Sequence, residues 1–166
     1  MILGPRRIAL IAVIAAVALA IIFYPLIVFT PINVDDVRID FTRIVLDDSS
    51  DEQELLLRPT FSITNNSTMT LTTSRIDYEL FADGALVGEK TLSYEDVPPN
   101  GRPALFPDTR VPLTDSFPLE YGDDRADLFN RILNQTSDID WSVRGSATIE
   151  SGTTLVVKEF ESTLQD

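Results

Sequence analysis

The sequence predicts an antiparallel β-sandwich of about seven short strands with one short helix, set behind a single N-terminal transmembrane helix. Three observations predict it: an unbroken apolar run from Ile8 to Phe29, alternation of apolar and polar residues beyond it, and turn signals recurring roughly every 8–15 residues.

The apolar run holds no charged side chain and follows directly on Arg6 and Arg7. As a helix its roughly 22 residues rise about 33 Å, enough for a hydrocarbon core of about 30 Å. Lys and Arg beside a span resist translocation. Residues 1–7 are therefore expected in the cytoplasm, 8–29 in the bilayer, 30–36 as a linker and 37–166 as one extracytoplasmic domain, which places the protein in the cell membrane as a single-pass chain. Tyr24 and Pro25 suit the outer interface, and Pro31 closes the helix. Ala18-Leu19-Ala20 is an A-x-A pattern that a signal peptidase accepts. Signal-peptide apolar cores run about 7–15 residues, whereas this one continues to Phe29, so a retained anchor is the expectation.

Beyond the anchor the chain has the size of one ordinary domain and can bury a core without staples. It carries 26 acidic against 13 basic residues, a formal charge of −13, and every acid lies beyond the anchor. Such a surface repels nucleic acid and anionic headgroups and attracts cations or basic proteins. Lysine occurs only at Lys90 and Lys158. Scarce Lys and abundant Asp are shared by proteins of salt-rich environments, and a GC-rich genome gives the same Arg-over-Lys bias. Cysteine and histidine are absent, which removes a Cys nucleophile, a Cys/His zinc site, His-ligated haem, a Ser-His-Asp triad and an acylated lipoprotein.

Along the domain, Val37, Ile39 and Phe41 alternate with Arg38, Asp40 and Thr42 as a half-buried strand. The phase slips at Arg43-Ile44-Val45-Leu46, which predicts a bulge. Asp47-Asp48-Ser49-Ser50-Asp51-Glu52 reads as an acidic hairpin loop. Leu55, Leu57, Phe61 and Ile63 alternate again, with Pro59 pointing to an edge or a bulge. Asn65-Asn66-Ser67 makes a turn, and Leu71 to Leu80 the next strand. Asp83-Gly84 suits a type I′ hairpin, with the return strand ending near Leu92. Val97-Pro98-Pro99-Asn100-Gly101 is a rigid turn and Arg110-Val111-Pro112-Leu113 a short strand. Leu128, Phe129, Ile132 and Leu133 give the one helical spacing, over Arg125 to Asn134, with Asp123-Asp124 as its cap. Trp141, Val143, Gly145, Ala147 and Ile149 alternate with polar residues. Ser151-Gly152 then turns the chain into a last strand, Leu155 to Leu164.

The order Phe61-Ser62-Ile63-Thr64-Asn65-Asn66-Ser67, Leu71, Ile76-Asp77-Tyr78-Glu79-Leu80-Phe81-Ala82-Asp83-Gly84 and Val87-Gly88 resembles the core of the LEA-2 or WHy domain. That name covers late embryogenesis abundant group 2 and the water-stress and hypersensitive-response domain. The Pro-rich link at 97–101, the strand at 110–113, the helix around Asp127 and the strand holding Gly145 come in the family's order. Asn66 stands where the family commonly has Pro. The resemblance implies an immunoglobulin-like or fibronectin-III-like sandwich, and the layout is similar to NDR1/HIN1-like plant membrane proteins, although the acidic composition suggests a prokaryote such as an archaeon.

Candidate sites are few. Asn65, Asn66 and Asn134 each begin an Asn-x-Ser/Thr sequon and are candidate glycosylation sites; otherwise they are polar turn residues. Asp47, Asp48, Asp51 and Glu52 supply oxygens for a hard cation, but without EF-hand spacing or its glycine they read as a solvated loop. Asp123, Asp124 and Asp127 raise the same question, and helix capping answers it. Trp141, Phe61 and Tyr78 would line a cavity between sheets or pack the core, and alternation favours the core. No catalytic residue, cofactor or phosphate loop is expected, nor any nucleic-acid partner. The expected function is non-enzymatic: a membrane-anchored domain for desiccation or osmotic stress protection or envelope interaction, with the lipid bilayer and other membrane or envelope proteins as partners. An accessory subunit of a membrane complex and a lipid-binding or lipid-transfer domain are the alternatives.

Overall fold

In a computed structural model of the protein, residues 5–28, 32–95, 101–135, 138–152 and 154–164 are described, though not the side chains at 5, 7, 8, 25–28, 124 and 135. The expected link at 97–100, the outer end of the span at Phe29, Thr136 of the third sequon, and the segments 1–4 and 165–166 lie outside them. The chain divides into two compact units, Met1–Ile32 and Asn33–Asp166.

The first unit is helix α1, Pro5–Val28, apolar on all sides. Its continuous run of described side chains, 9–24, covers about 24 Å of helix axis. Among the described residues no helix is long and apolar enough to cross a membrane.

The second unit is mostly strand and forms two antiparallel sheets. Sheet one runs β1(Val37–Leu46)–β2(Glu54–Asn65)–β6(Thr109–Thr114), with β7(Phe117–Glu120) also on β2. Sheet two runs β4(Ala85–Ser93)–β3(Leu71–Ala82)–β8(Trp141–Ser151)–β9(Thr154–Thr163), with β5(Ala104–Leu105) on β3. The alternation seen in the sequence is the pleat: Ile39, Phe41, Leu55, Leu57, Phe61 and Ile63 turn inward from sheet one. Ile76, Tyr78, Leu80, Trp141, Val143 and Ile149 turn inward from sheet two. The expected bulge is a register shift between Phe41 and Arg43, and Asp83-Gly84 has positive φ at both residues, 48° and 77°, as a type I′ turn requires.

Three expectations are corrected. Pro59 is not on an edge: β2 is the central strand of its sheet, and Pro59 sits where β7 leaves off and β6 takes over, its carbonyl accepting from Asp115 N at 3.0 Å. The helix α2, Ala126–Gln135, is preceded by a 3₁₀ turn Asp123–Arg125, whose cap is Gly122 with no side-chain hydrogen bond, so Asp123-Asp124 form the turn rather than cap it. Strands β5 and β7 are too short to show a period, and the sandwich has nine described strands rather than seven.

Core packing centres on Phe61, which is fully buried. Its ring meets Tyr78 edge-on at 4.8 Å, Phe160 at 6.0 Å and Phe41 at 6.1 Å. Tyr78 and Phe160 are the register partners on either side of Gly145. A Cβ on Gly145 would lie 2.1 Å from Asp77 O and 2.9 Å from Tyr78 Cα, so β8 and β3 approach more closely there than any side chain permits. Full burial of a Phe stabilises by about 1.5–3 kcal/mol, and each well-placed aromatic pair adds about 0.5–1.5.

Gly145→Ala is therefore expected to cost at least about 2 kcal/mol by forcing the strands apart, read as a lower urea midpoint. Gly152→Ala, at an open turn with φ +57°, meets no neighbouring atom and should cost less.

Candidate functional site

The outward faces of the four main strands of sheet two form a shallow concavity of 1040 Å³. Strand periodicity puts every second residue here. One cross-strand row reads Glu89–Glu79–Arg144–Glu161 and the next Thr91–Asp77–Ser146–Glu159. Arg144 Nη2 lies 2.6 Å from Glu79 Oε2, and its guanidinium sits 5.5 Å from the centre of the Phe81 ring. The Glu79 carboxylate raises the Arg144 pKa. Asp77 accepts from Arg75 Nε at 2.7 Å and from Thr91 Oγ1 at 2.5 Å, and the Arg75 hydrogen bond, more than Thr91, holds its carboxyl below the usual range. Glu79 and Glu89 face each other directly with like charge, an arrangement that costs stability in a sheet. This surface can hold water and counter-ions.

A second cluster joins the two sheets. Tyr78 OH donates to Asp115 Oδ2 at 2.8 Å, Lys90 Nζ lies 3.3 Å from Asp115 Oδ1, and Lys90 also donates to Ser116 O. Burial, first, and then the Asp115 charge push the Tyr78 hydroxyl well above its ordinary value near 10. Sequence reasoning missed this cluster, since its three members lie on separate elements; the only signal was the rarity of lysine.

The acidic loop spends its oxygens on itself. Asp47 Oδ1 accepts from Ser49 N at 3.0 Å and Ser49 Oγ at 2.7 Å, and Oδ2 from Arg58. These bonds, Ser49 foremost, lower the Asp47 carboxyl to about 2. Asp51 Oδ1 accepts from Gln53 N and Glu54 N, which likewise lowers its pKa. Asp48 and Glu52 are exposed. Among the described residues no three His, Cys, Asp or Glu side chains are grouped as a metal site requires. Trp141, Phe61 and Tyr78 are buried in the core.

The turn after β2 has the most elaborate side-chain bonding. Asn65 is fully buried; its Nδ2 donates to Met69 O and Leu105 O, both at 2.8 Å, while Oδ1 accepts from Ser67 N at 2.9 Å and Ser67 Oγ at 2.7 Å. One amide thus fastens the crossing from sheet one to sheet two onto β5. Asn66 is exposed, and Asn134, also exposed, lies in the last turn of α2.

No protein-family model matches the chain, and no curated protein matches it. Solved structures do. The X-ray structure of the structural-genomics target SoR45 is similar at TM-score 0.50 and 13% identity, over 80% of this chain and 88% of that one. A crystal structure of a protein from Archaeoglobus fulgidus is similar at TM-score 0.49 and 15% identity, over 76% and 94%. A solution structure of a protein described as late embryogenesis abundant is similar at TM-score 0.45 and 12% identity, over 77% and 71%. At 13% identity the likeness to the first of these is one of fold alone.

The arrangement of charge makes two outcomes expected. Glu89→Lys should stabilise the domain by about 0.2–1 kcal/mol at low salt, and the gain should shrink in molar salt as screening removes the repulsion it relieves; thermal melts at both ionic strengths read it. Stability should also be flat between about pH 5 and 9, because no His or Cys is present to titrate there. Asp47, lowered from 3.8 to about 2, contributes stability that is present above pH 3.8 and lost as pH falls through 2. Tyr78, raised, contributes stability that is present below pH 10 and lost as pH climbs through its folded value. Tyr78→Phe should make the alkaline fall shallower and leave the acid limb unchanged.

Proposed function

We propose that the protein is a non-enzymatic, single-pass membrane protein whose LEA-2-type sandwich stands outside the cell as a hydrated, acidic module for stress protection. The observation that carries the anchor is α1 itself. From Ile8 to Phe23 every residue is apolar, so the helix has no polar face. Water does not tolerate a helix apolar on every side, and burial in a bilayer or a protein core is what removes the cost. With Arg6 and Arg7 directly ahead of it, the basic flank favours an internal N-terminus and an external domain.

The LEA-2 assignment is supported by the residues that resemble that family. Asn65 of the Asn-Asn-Ser turn, Tyr78 in the aromatic strand and the tight Asp83-Gly84 hairpin each hold a position on which the sandwich closes. Protection then arises from the outer face of sheet two, which binds water and cations in place of a specific ligand.

The absence of cysteine makes topology directly readable. Asp48→Cys, in an exposed loop, should react with a membrane-impermeant maleimide in intact cells; labelling only after lysis would refute the external placement. Protein reconstituted in vesicles should preserve a drying-sensitive enzyme better than an equally acidic control protein. Equal losses would reject the protective role while leaving the anchor standing.

A further inference from the structure

The turn after β2 contains two overlapping sequons, Asn65-Asn66-Ser67 and Asn66-Ser67-Thr68, with equal standing in the sequence. The structure separates them. The backbone alternates here, so Asn65 and Ser67 point inward with 0% and 8% exposure, whereas Asn66 and Thr68 are exposed. Both hydrogens of the Asn65 amide are already donated, to Met69 O and Leu105 O. A sugar on that nitrogen would remove one hydrogen and need space inside a closed turn. Asn66 contributes to the turn through its main chain, its N–H donating to Asp36 O at 2.8 Å. Its side-chain amide is left in solvent, with the Thr68 hydroxyl two residues on.

We propose that Asn66 is an N-glycan acceptor, with Thr68 as its hydroxyl partner, and that Asn65 and Ser67 form the same motif for a purely structural use. The inference rests on the external placement proposed above. The donor class is a sugar carried on a polyprenyl phosphate or diphosphate. Asn66 Nδ2 forms the bond to sugar C1, the C1–O bond to phosphate breaks, the polyprenyl phosphate (or, from the diphosphate donor, polyprenyl diphosphate) leaves with that electron pair, and the amide proton passes to a base. No oxidation or reduction is involved. Asn134 is not included: its Nδ2 donates to Asn130 O at 2.7 Å, and Thr136 lies outside the described residues.

The experiment is peptide mass mapping of the full-length protein from membranes of its own cells, run beside the maleimide topology assay. The peptide spanning the turn should be heavier by the mass of a glycan. Asn66→Gln and Thr68→Val should both lose that mass, with an unchanged melting curve for Asn66→Gln because the side chain is exposed. Ser67→Ala destroys only the first sequon and should keep the mass while lowering stability. A sugar lost in Ser67→Ala but kept in Thr68→Val would assign it to Asn65 and overturn the proposal. An unmodified peptide from a domain that labels outside the cell overturns the glycan alone, and a domain that labels only after lysis overturns the placement together with it.

Discussion

The packing of Phe61 against sheet two is the contact on which the rest of the sandwich depends. A ring brought in from sheet one must fit between Tyr78 and Phe160, and the residue between those two in register has no side chain. Gly145 also lets β8 come so close to β3 that Asp77 O occupies the place of a Cβ. A single glycine therefore makes room for the inner packing, which is why its position within a long strand is not the usual weakness of glycine there.

The strands long enough to show a period, the bulge after Phe41, the type I′ turn and the helix core at Phe129 and Ile132 were all legible in the sequence, since each is written in local spacing. Pro59 misled because its lost donor was weighed without knowing that two partner strands would divide β2 between them. The short β5 and β7 were illegible because two to four residues hold no periodicity. The Tyr78–Asp115–Lys90 cluster could not be read because it exists only after two sheets have met. The turn at Asn65 was readable as a turn, but its long bond to Leu105 was not.

Charge and packing are kept apart in this domain. Many of its carboxylates lie in surface loops and on the outer face of sheet two, several of them engaged by neighbouring arginines or by main-chain N–H groups. Asp115 is the main exception, close to buried and matched by a phenol and an ammonium. A core free of stranded charge can tolerate an acidic exterior, whose self-repulsion is a matter of solvent and salt.

The two sheets also meet at their other side, where Phe41 N donates to Ser162 Oγ at 2.9 Å across 121 residues of chain. The first strand is therefore completed by the last. During synthesis β1 leaves the ribosome early and must wait for β9, and pairings this distant form slowly. For that interval Phe61 lacks Phe160, one of its ring partners, and incompletely covered apolar surface is what makes newly made β proteins prone to misassociation. The order of the strands along the chain thus makes the final stretch, Thr154–Thr163, the step that ends this vulnerability. A chain truncated there would lose both Phe160 from the core and the Ser162 bond to β1.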